Sequence, residues 1–335
     1  LPLYPTHAET SDESIDPTNS SQVRLVEQPF YPELQNISNR WDRSYMGQVQ
    51  GKTPKHTLLN FYGVMAKVAS KIESVSAEAK TEPGIGWSNE SKQKIKEAEV
   101  LFASAVESLD GSSIPESTRP DRKEEAALKL KEILDYALDN SSPNLEIPNH
   151  SKFQDWRLPA TGIHLAKGKN NQESSLADEE YFFTPETISN IPRMYNFVKQ
   201  PNRNLSQNEF TTSSLYKQYT YTPGQLVPPK WYLKLPLGMR ALFEHPIGEQ
   251  SLLQISLALI VTIIYVPIVF LLTNKFLSTF KHSKGEQKTS IWLADNKAWG
   301  RLAYIAPIPP LSSFCNYLLD QQINITNFWL ITYTP

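Results

Sequence analysis

Six histidines, one cysteine and one acidic run are the side chains with which this sequence could hold a metal or move protons. The histidines are His7, His56, His150, His164, His245 and His282, and no two are spaced to share a metal on one helix face. Cys315 has no disulfide partner and no motif that pairs it with a histidine, so in its apolar stretch it reads as a small buried hydrophobe. Asp178-Glu179-Glu180 lacks the alternating ligands of a calcium loop and reads as a solvated turn. Gly47 to Thr53, GQVQGKT, approaches a phosphate-binding loop. Met46 stands where its first glycine belongs, however, and the preceding RWDRSYM is no buried strand. No Gly-x-Ser-x-Gly elbow occurs. The expectation is therefore a protein with no catalytic set, no metal and no cofactor. A net charge of −2 supplies no field to gather nucleic acid, and no small-molecule substrate motif is present. Seven Asn-x-Ser/Thr sequons, among them Asn36, Asn204 and Asn324, say little in a chain rich in Asn and Ser.

The strongest physical signal lies elsewhere. Residues 251–273, SLLQISLALIVTIIYVPIVFLLT, form one uncharged run in which 15 of 23 residues are Leu, Ile, Val or Phe. As a helix this run is about 35 Å long, enough for a hydrocarbon core of about 30 Å. The apolar residues outweigh Gln254, Ser256, Thr262 and Pro267 on an insertion scale, and charges stand just outside at Glu249 and Lys275. Lys275, Lys281, Lys284, Lys288, Lys297 and Arg301 follow, against Glu286 and Asp295, which puts 274–301 on the cytoplasmic side as a basic connection. Lys230, Lys234 and Arg240 precede the span, so the asymmetry is modest. A second uncharged stretch, 302–319, is broken by Pro307, Pro309 and Pro310; it reads as membrane-surface or as a kinked span. With 321–335 it makes a second membrane-associated region, 302–335, expected to be incomplete.

The elements before the span are legible from periodicity. Residues 1–54 read as a signal remnant or ordinary polar terminus (1–8) followed by a disordered or extended lead-in. Leu58, Phe61, Met65, Val68, Ile72, Val75 and Ala79 mark a helix over 57–79 that ends at Pro83-Gly84. Ser88 or Asn89 caps a second helix with Ile95, Ala98, Phe102, Ala105 and Leu109 on its face. Thr118, Pro120 and Asp121 open a third that buries Ala127, Leu130, Leu134, Ala137 and Leu138. Together they make a helical bundle over 55–142. The period then changes. Trp156-Arg157-Leu158, Ile163-His164-Leu165 and the flanks of 180–183 alternate like strands. Thr184-Pro185-Glu186 opens a helix that ends at Pro192 or bends through it, giving a small α+β module over 151–200. Residues 201–250 are a Pro- and aromatic-rich juxtamembrane segment. Tyr216, Tyr219 and Tyr221 read better as packed loop than as headgroup anchors. Trp231 to Phe243, including Tyr232 and with Leu235, Leu237, Met239, Leu242 and Phe243, reads as interfacial. With Leu259 and Pro267 in the span, these are the candidate membrane-contacting residues. The fold class expected is an α+β extracytoplasmic region followed by α-helical transmembrane structure.

Several segments in order resemble the N-terminal part of large bacterial proteins of the small-conductance mechanosensitive channel family. They are Trp156 to Ile163 (WRLPATGI), Tyr181 to Ile188 (YFFTPETI) and Ile191 to Tyr195 (IPRMY). Tyr221 to Gly224 (YTPG), Leu226 to Trp231 (LVPPKW), Gly248 to Gln250 (GEQ) and Gln322 to Thr326 (QINIT) follow. The resemblance implies an extracytoplasmic region ahead of membrane helices in the bacterial inner membrane, contact with membrane lipids, a homo-oligomer and an ion channel that responds to bilayer tension. That family's pore-lining helix and cytoplasmic β-rich vestibule do not occur in these residues. The alternative, from the residues alone, is a membrane-anchored extracytoplasmic sensor or interaction module. A membrane-anchored hydrolase is a weaker third.

Overall fold

A computed structural model describes residues 23–43, 47–84, 86–143, 145–168, 180–199, 210–211, 215–222, 226–247 and 250–282, with residue 313. The expectations for 1–22, Met46, Asp178-Glu179, 283–301 and, Ser313 apart, 302–335 fall outside the described residues.

Helices α1 (Tyr31–Arg43), α2 (Pro54–Thr81), α3 (Asn89–Glu107) and α4 (Arg119–Asp139) build the first half. α1 corrects the expectation of an extended lead-in. Phe30, Leu34, Ile37 and Trp41 are buried at three- and four-residue steps, and this stripe covers α2. The approach is close at Gly63 of α2, where a Cβ would sit 3.4 Å from Ile37 Cγ2. The polar residues between these anchors mask the stripe in the sequence. α2 starts ahead of the expected residue 57: Thr53 Oγ1 accepts from His56 N, and Pro54 occupies the first turn. Its face from Leu58 to Ala79 is buried throughout. Ser88 caps α3 by accepting from Ser91 N.

Strands β1 (Asp155–Arg157), β2 (His164–Gly168) and β3 (Glu180–Phe183) form an antiparallel meander in chain order. Trp156 pairs with Leu165, and Leu165 with Phe183. The β1–β2 turn runs through Pro159 and Ala160; Ala160 has φ +58°, a left-handed position usually given to Gly or Asn. The outer edge of β3 is stitched to the helices. Tyr181 N donates to Gly51 O at 2.9 Å, Phe183 N to Ser108 O at 3.0 Å, and Asp110 N to Phe183 O at 2.8 Å. Thr57 Oγ1 accepts from Gly51 N and donates to Tyr181 O. This covers an edge that would otherwise offer unpaired backbone groups. The Phe61 and Phe183 rings meet edge-on at 5.0 Å, so bundle and sheet share one core. α5 (Pro185–Val198), capped by Thr184, continues through Pro192 and lies on α4. The described residues are thus mostly helical with a small three-stranded antiparallel sheet, the α+β class expected.

The remaining elements are short until the last. They are α6 (Leu215–Tyr221), α7 (Lys230–Leu233), α8 (Leu237–Phe243), β4 (Pro246–Ile247), β5 (Gln250–Ser251) and α9 (Leu252–His282).

Candidate functional site

The region where α6, α7, α8 and the β4–β5 hairpin meet the start of α9 is the base of the folded domain. Its first fastening is at the end of α2. Pro83 cannot continue a helix and Gly84, at φ +78°, turns the chain away, so the last carbonyls of α2 are left without helical donors. Two lysines of the α7 segment bind the turn that follows α2, at residues 82–84 and 86. Lys230 Nζ is buried and donates to Glu82 Oε2 at 2.7 Å, Gly86 O at 2.9 Å and Pro83 O at 3.1 Å, which uses all three of its hydrogens. Lys234 Nζ donates to Glu82 O at 2.6 Å and Gly84 O at 2.7 Å. Cations suit the negative end of the helix dipole. The Lys230 bond, with smaller help from Ser88 and Ser91, pushes the Glu82 carboxyl down to about 2.

The second fastening is α6 on α4. Tyr216 N donates to Glu132, Tyr216 OH to Glu125 at 3.0 Å and Tyr219 OH to Glu124 at 2.8 Å, while Lys129 Nζ lies 4.6 Å from the Tyr216 ring centre. Burial pushes the Glu124 and Glu132 carboxyls up. Tyr216 and Tyr219 are therefore packed on the domain, the reading preferred from sequence.

α9 begins inside this base. Ser251 and Gln254 are buried and make a reciprocal cap: Ser251 N donates to Gln254 Oε1 at 2.6 Å, and Gln254 N to Ser251 Oγ at 3.3 Å. Gln254 Nε2 also reaches Thr220 O of α6 at 3.4 Å. The expected span therefore starts later than Ser251, because its first turn belongs to the domain. The Ser-x-x-Gln spacing was the available signal for this cap, and counting those residues only as polar cost inside a span overlooked it. From Ile255 onward the helix is apolar and exposed through Ile260, Ile263, Ile264, Val266, Ile268, Phe270 and Leu271. These side chains point to nearly all sides, with no polar face to meet water. Leu259 is 58% exposed, and Pro267 lies exposed in mid-helix. Residues 252–271 form one helix long and apolar enough to cross a membrane.

The other expected contact residues separate. Trp231 is 42% exposed, but Tyr232 is fully buried, so its expected place at the membrane surface is corrected. Its hydroxyl donates to Glu244 Oε1 at 2.9 Å, and burial, then the Glu244 charge, pushes its pKa up. Tyr232 is a pin beneath α8. Phe243 is half-buried on the same side. The exposed apolar residues of α8 are Leu237, Met239 and Leu242, with Ala241.

One buried charged cluster has no counterpart in the sequence reading. Lys131 and Asp135 of α4 are both buried, with Lys131 Nζ 2.5 Å from Asp135 Oδ1, 2.7 Å from Phe210 O and 4.2 Å from the Tyr62 ring centre. Tyr62 OH donates to the same carboxylate oxygen at 2.8 Å. Burial pulls the Lys131 ammonium down, against Asp135. An i, i+4 Lys–Asp pair reads as a solvated helix face, and only its alignment with Ala127, Leu134 and Leu138 marks it as inward.

The histidines stay apart. His164 has Asp155 at one ring nitrogen (3.0 Å) and Glu186 at the other (3.2 Å), so the two carboxylates share no point with it where an ion would sit. His150 lies against the Phe153 ring. Among the described residues no group of three or more His, Cys, Asp or Glu side chains is placed to hold a metal. No protein-family model, no curated protein and no solved structure matches the chain.

Proposed function

We propose that this chain is the membrane-anchored N-terminal region of a tension-gated ion channel of the small-conductance mechanosensitive type. In this reading α9 crosses the bacterial inner membrane, the folded domain lies outside the cytoplasm and the basic residues after α9 lie inside. Lipids are its partners, and the full-length protein is a homo-oligomer. The observation that carries the reading is the joint at Ser251, Gln254 and Thr220. The apolar helix leaves the domain from a buried cap, without a slack linker, so a displacement of one is felt by the other. Tension favours whichever state has the larger membrane footprint, and it acts only through surfaces that hold lipid differently in the two states. A helix exposed on nearly all sides and capped into a folded domain offers a surface of that kind. The resembling segments support the same reading. WRLPATGI forms the β1–β2 turn and its flanks, YFFTPETI runs from β3 into α5, and Lys230 and Trp231 of LVPPKW open α7.

The test is patch recording under suction of the full-length protein in cells that lack other tension-activated channels. The expected result is a tension-activated current, with a threshold that moves when the joint is loosened by Gln254→Ala and a unitary conductance that does not. Absence of any tension-activated current defeats the channel and leaves the sensor module. A changed conductance with an unchanged threshold places the joint at the pore and refutes the anchoring role.

A further inference from the structure

The apolar side of α8 is displayed to solvent although the opposite side of the same helix is tightly fastened. Positions 237, 238, 241 and 242 fall on one face, which carries Leu237, Gly238, Ala241 and Leu242 and no charge. All four are exposed, Leu237 at 75%. Arg240 and Phe243 turn inward, and Arg240 sits 5.7 Å from the Tyr232 ring and 3.9 Å from Glu244. Ile247, next along the chain, is also exposed. A folded domain gains nothing by holding two leucines in water on a helix of seven residues, unless something apolar covers them.

The location of α8 identifies the cover. Leu252 N, at the first residue of α9, donates to His245 O, two residues beyond the end of α8. Pro246 pairs with Ser251 and Ile247 with Gln250, so the hairpin holds the end of α8 against the start of α9. The exposed apolar surface of α9 begins at Ile255, one turn further on. The headgroup layer on each side of a bilayer is only about 5–8 Å deep, and a helix is about 10 Å across. A helix pinned at the mouth of a span is therefore wider than that layer and reaches through it to the acyl boundary.

We propose that α8 rests in the headgroup–acyl boundary of a lipid bilayer with Leu237, Ala241 and Leu242 inserted, and that Lys230 and Lys234 set its height by tying α7 to the end of α2. The proposal rests on α9 crossing the membrane, and it narrows the interfacial segment read from the sequence, Trp231 to Phe243, to the face of Leu237, Ala241 and Leu242, with Tyr232 and Phe243 on the domain side. A helix with one apolar side in the boundary is a recognised mode of membrane binding. The pinned Tyr232–Glu244 side keeps the polar groups toward the domain. The lysine fastening makes α8 a foot of the domain, so lateral movement of lipid at the boundary pulls on α2 as well as on α9.

The full chain is reconstituted in phosphatidylcholine–phosphatidylglycerol vesicles, with Cys315→Ser and a single fluorophore-labelled cysteine at position 242, 263 or 112. Lipids spin-labelled near the headgroup or at mid-chain serve as quenchers. At Leu242→Cys, quenching by the shallow label is expected to exceed that by the deep label roughly twofold, as for a boundary helix. Ile263→Cys is expected to favour the deep label and Ser112→Cys neither. Quenching at 263 with none at 242 overturns the foot while leaving the span intact. No quenching at 263 overturns the membrane reading itself. A blue-shifted, unquenched signal at 242 means that a second copy of the chain covers α8, which also overturns the lipid assignment. Lys230→Met is expected to change the shallow-to-deep ratio at 242. An unchanged ratio removes the height-setting role of the lysines.

Discussion

Replacing Lys131 by Met removes the ammonium that three groups share and changes little else in shape. Asp135 keeps the Tyr62 hydroxyl at 2.8 Å but loses the Lys131 ammonium, 2.5 Å away in a site with no solvent access. The Phe210 carbonyl loses its donor at 2.7 Å. Breaking a buried ion pair from one side costs about 3–5 kcal/mol, because the remaining charge must be borne or protonated. The bond lost at that carbonyl, from a charged donor, falls within that figure at about 1.5–3 kcal/mol. This is a large share of the roughly 5–15 kcal/mol that holds a domain together. The triple variant Lys131→Met, Asp135→Leu, Tyr62→Phe leaves no charge and no unpaired hydroxyl. It retains only the carbonyl's loss and gains apolar contact, so it should cost less than Lys131→Met alone, about 0–2 kcal/mol. The assay is urea unfolding of a fragment of residues 23–247, which contains every residue of the shared core, followed by near- and far-ultraviolet circular dichroism. Coincident transitions license the free energies. A single variant that costs under about 1 kcal/mol means that water reaches the cluster, and the desolvation argument fails. A triple variant worse than the single means that the cluster contributes net stability as an ion pair, which reverses the reasoning.

The same fragment should unfold cooperatively, whereas residues 50–200 should not, because they lack α1 with Leu34, Ile37 and Trp41 and the α6 docking on α4; matched melts decide this. Phe61→Ala, which also removes the edge contact to Phe183, should cost about 3–5 kcal/mol in that fragment, read from the shift in urea midpoint. The Glu82 pKa falls from an ordinary 4.5 to about 2 on folding, so its stabilisation of the α7 fastening is complete above 4.5 and lost as pH falls toward 2. Trp231 fluorescence should report that release only in acid, and a change centred near neutrality would contradict it. Leu259→Arg places a charge on the exposed apolar helix and should disfavour insertion by about 2.5–3.5 kcal/mol, read as a loss from the membrane fraction. For orientation, an impermeant thiol reagent on intact cells should label Ser112→Cys and spare Ser283→Cys in a Cys315→Ser background. The reverse pattern would turn the protein over.

The apolar run at 251–273, the helices α2 to α5 with caps at Ser88 and Thr184, and the three short strands are all readable along the chain. Each depends on side chains within one or two turns of one another, and local periodicity and capping are local physics. α1 was readable in the same way, through Phe30, Leu34, Ile37 and Trp41, but polar neighbours diluted it. What pairs residues far apart was not readable. Nothing near Lys230 announces that its partners are at 82, 83 and 86, and nothing near Lys131 announces Phe210. The burial of Tyr232 follows from Glu244 and the fold of α8 over it, not from the aromatic composition that suggested a membrane surface. The side of α8 that faces outward was likewise decided by which residues the domain had already claimed. The sequence alone determined α2 to α5, β1 to β3 and the apolar run of α9, because those depend on spacing. Only the tertiary structure decided which charges are buried and where the apolar helix is fastened, because those depend on contacts that chain order does not encode.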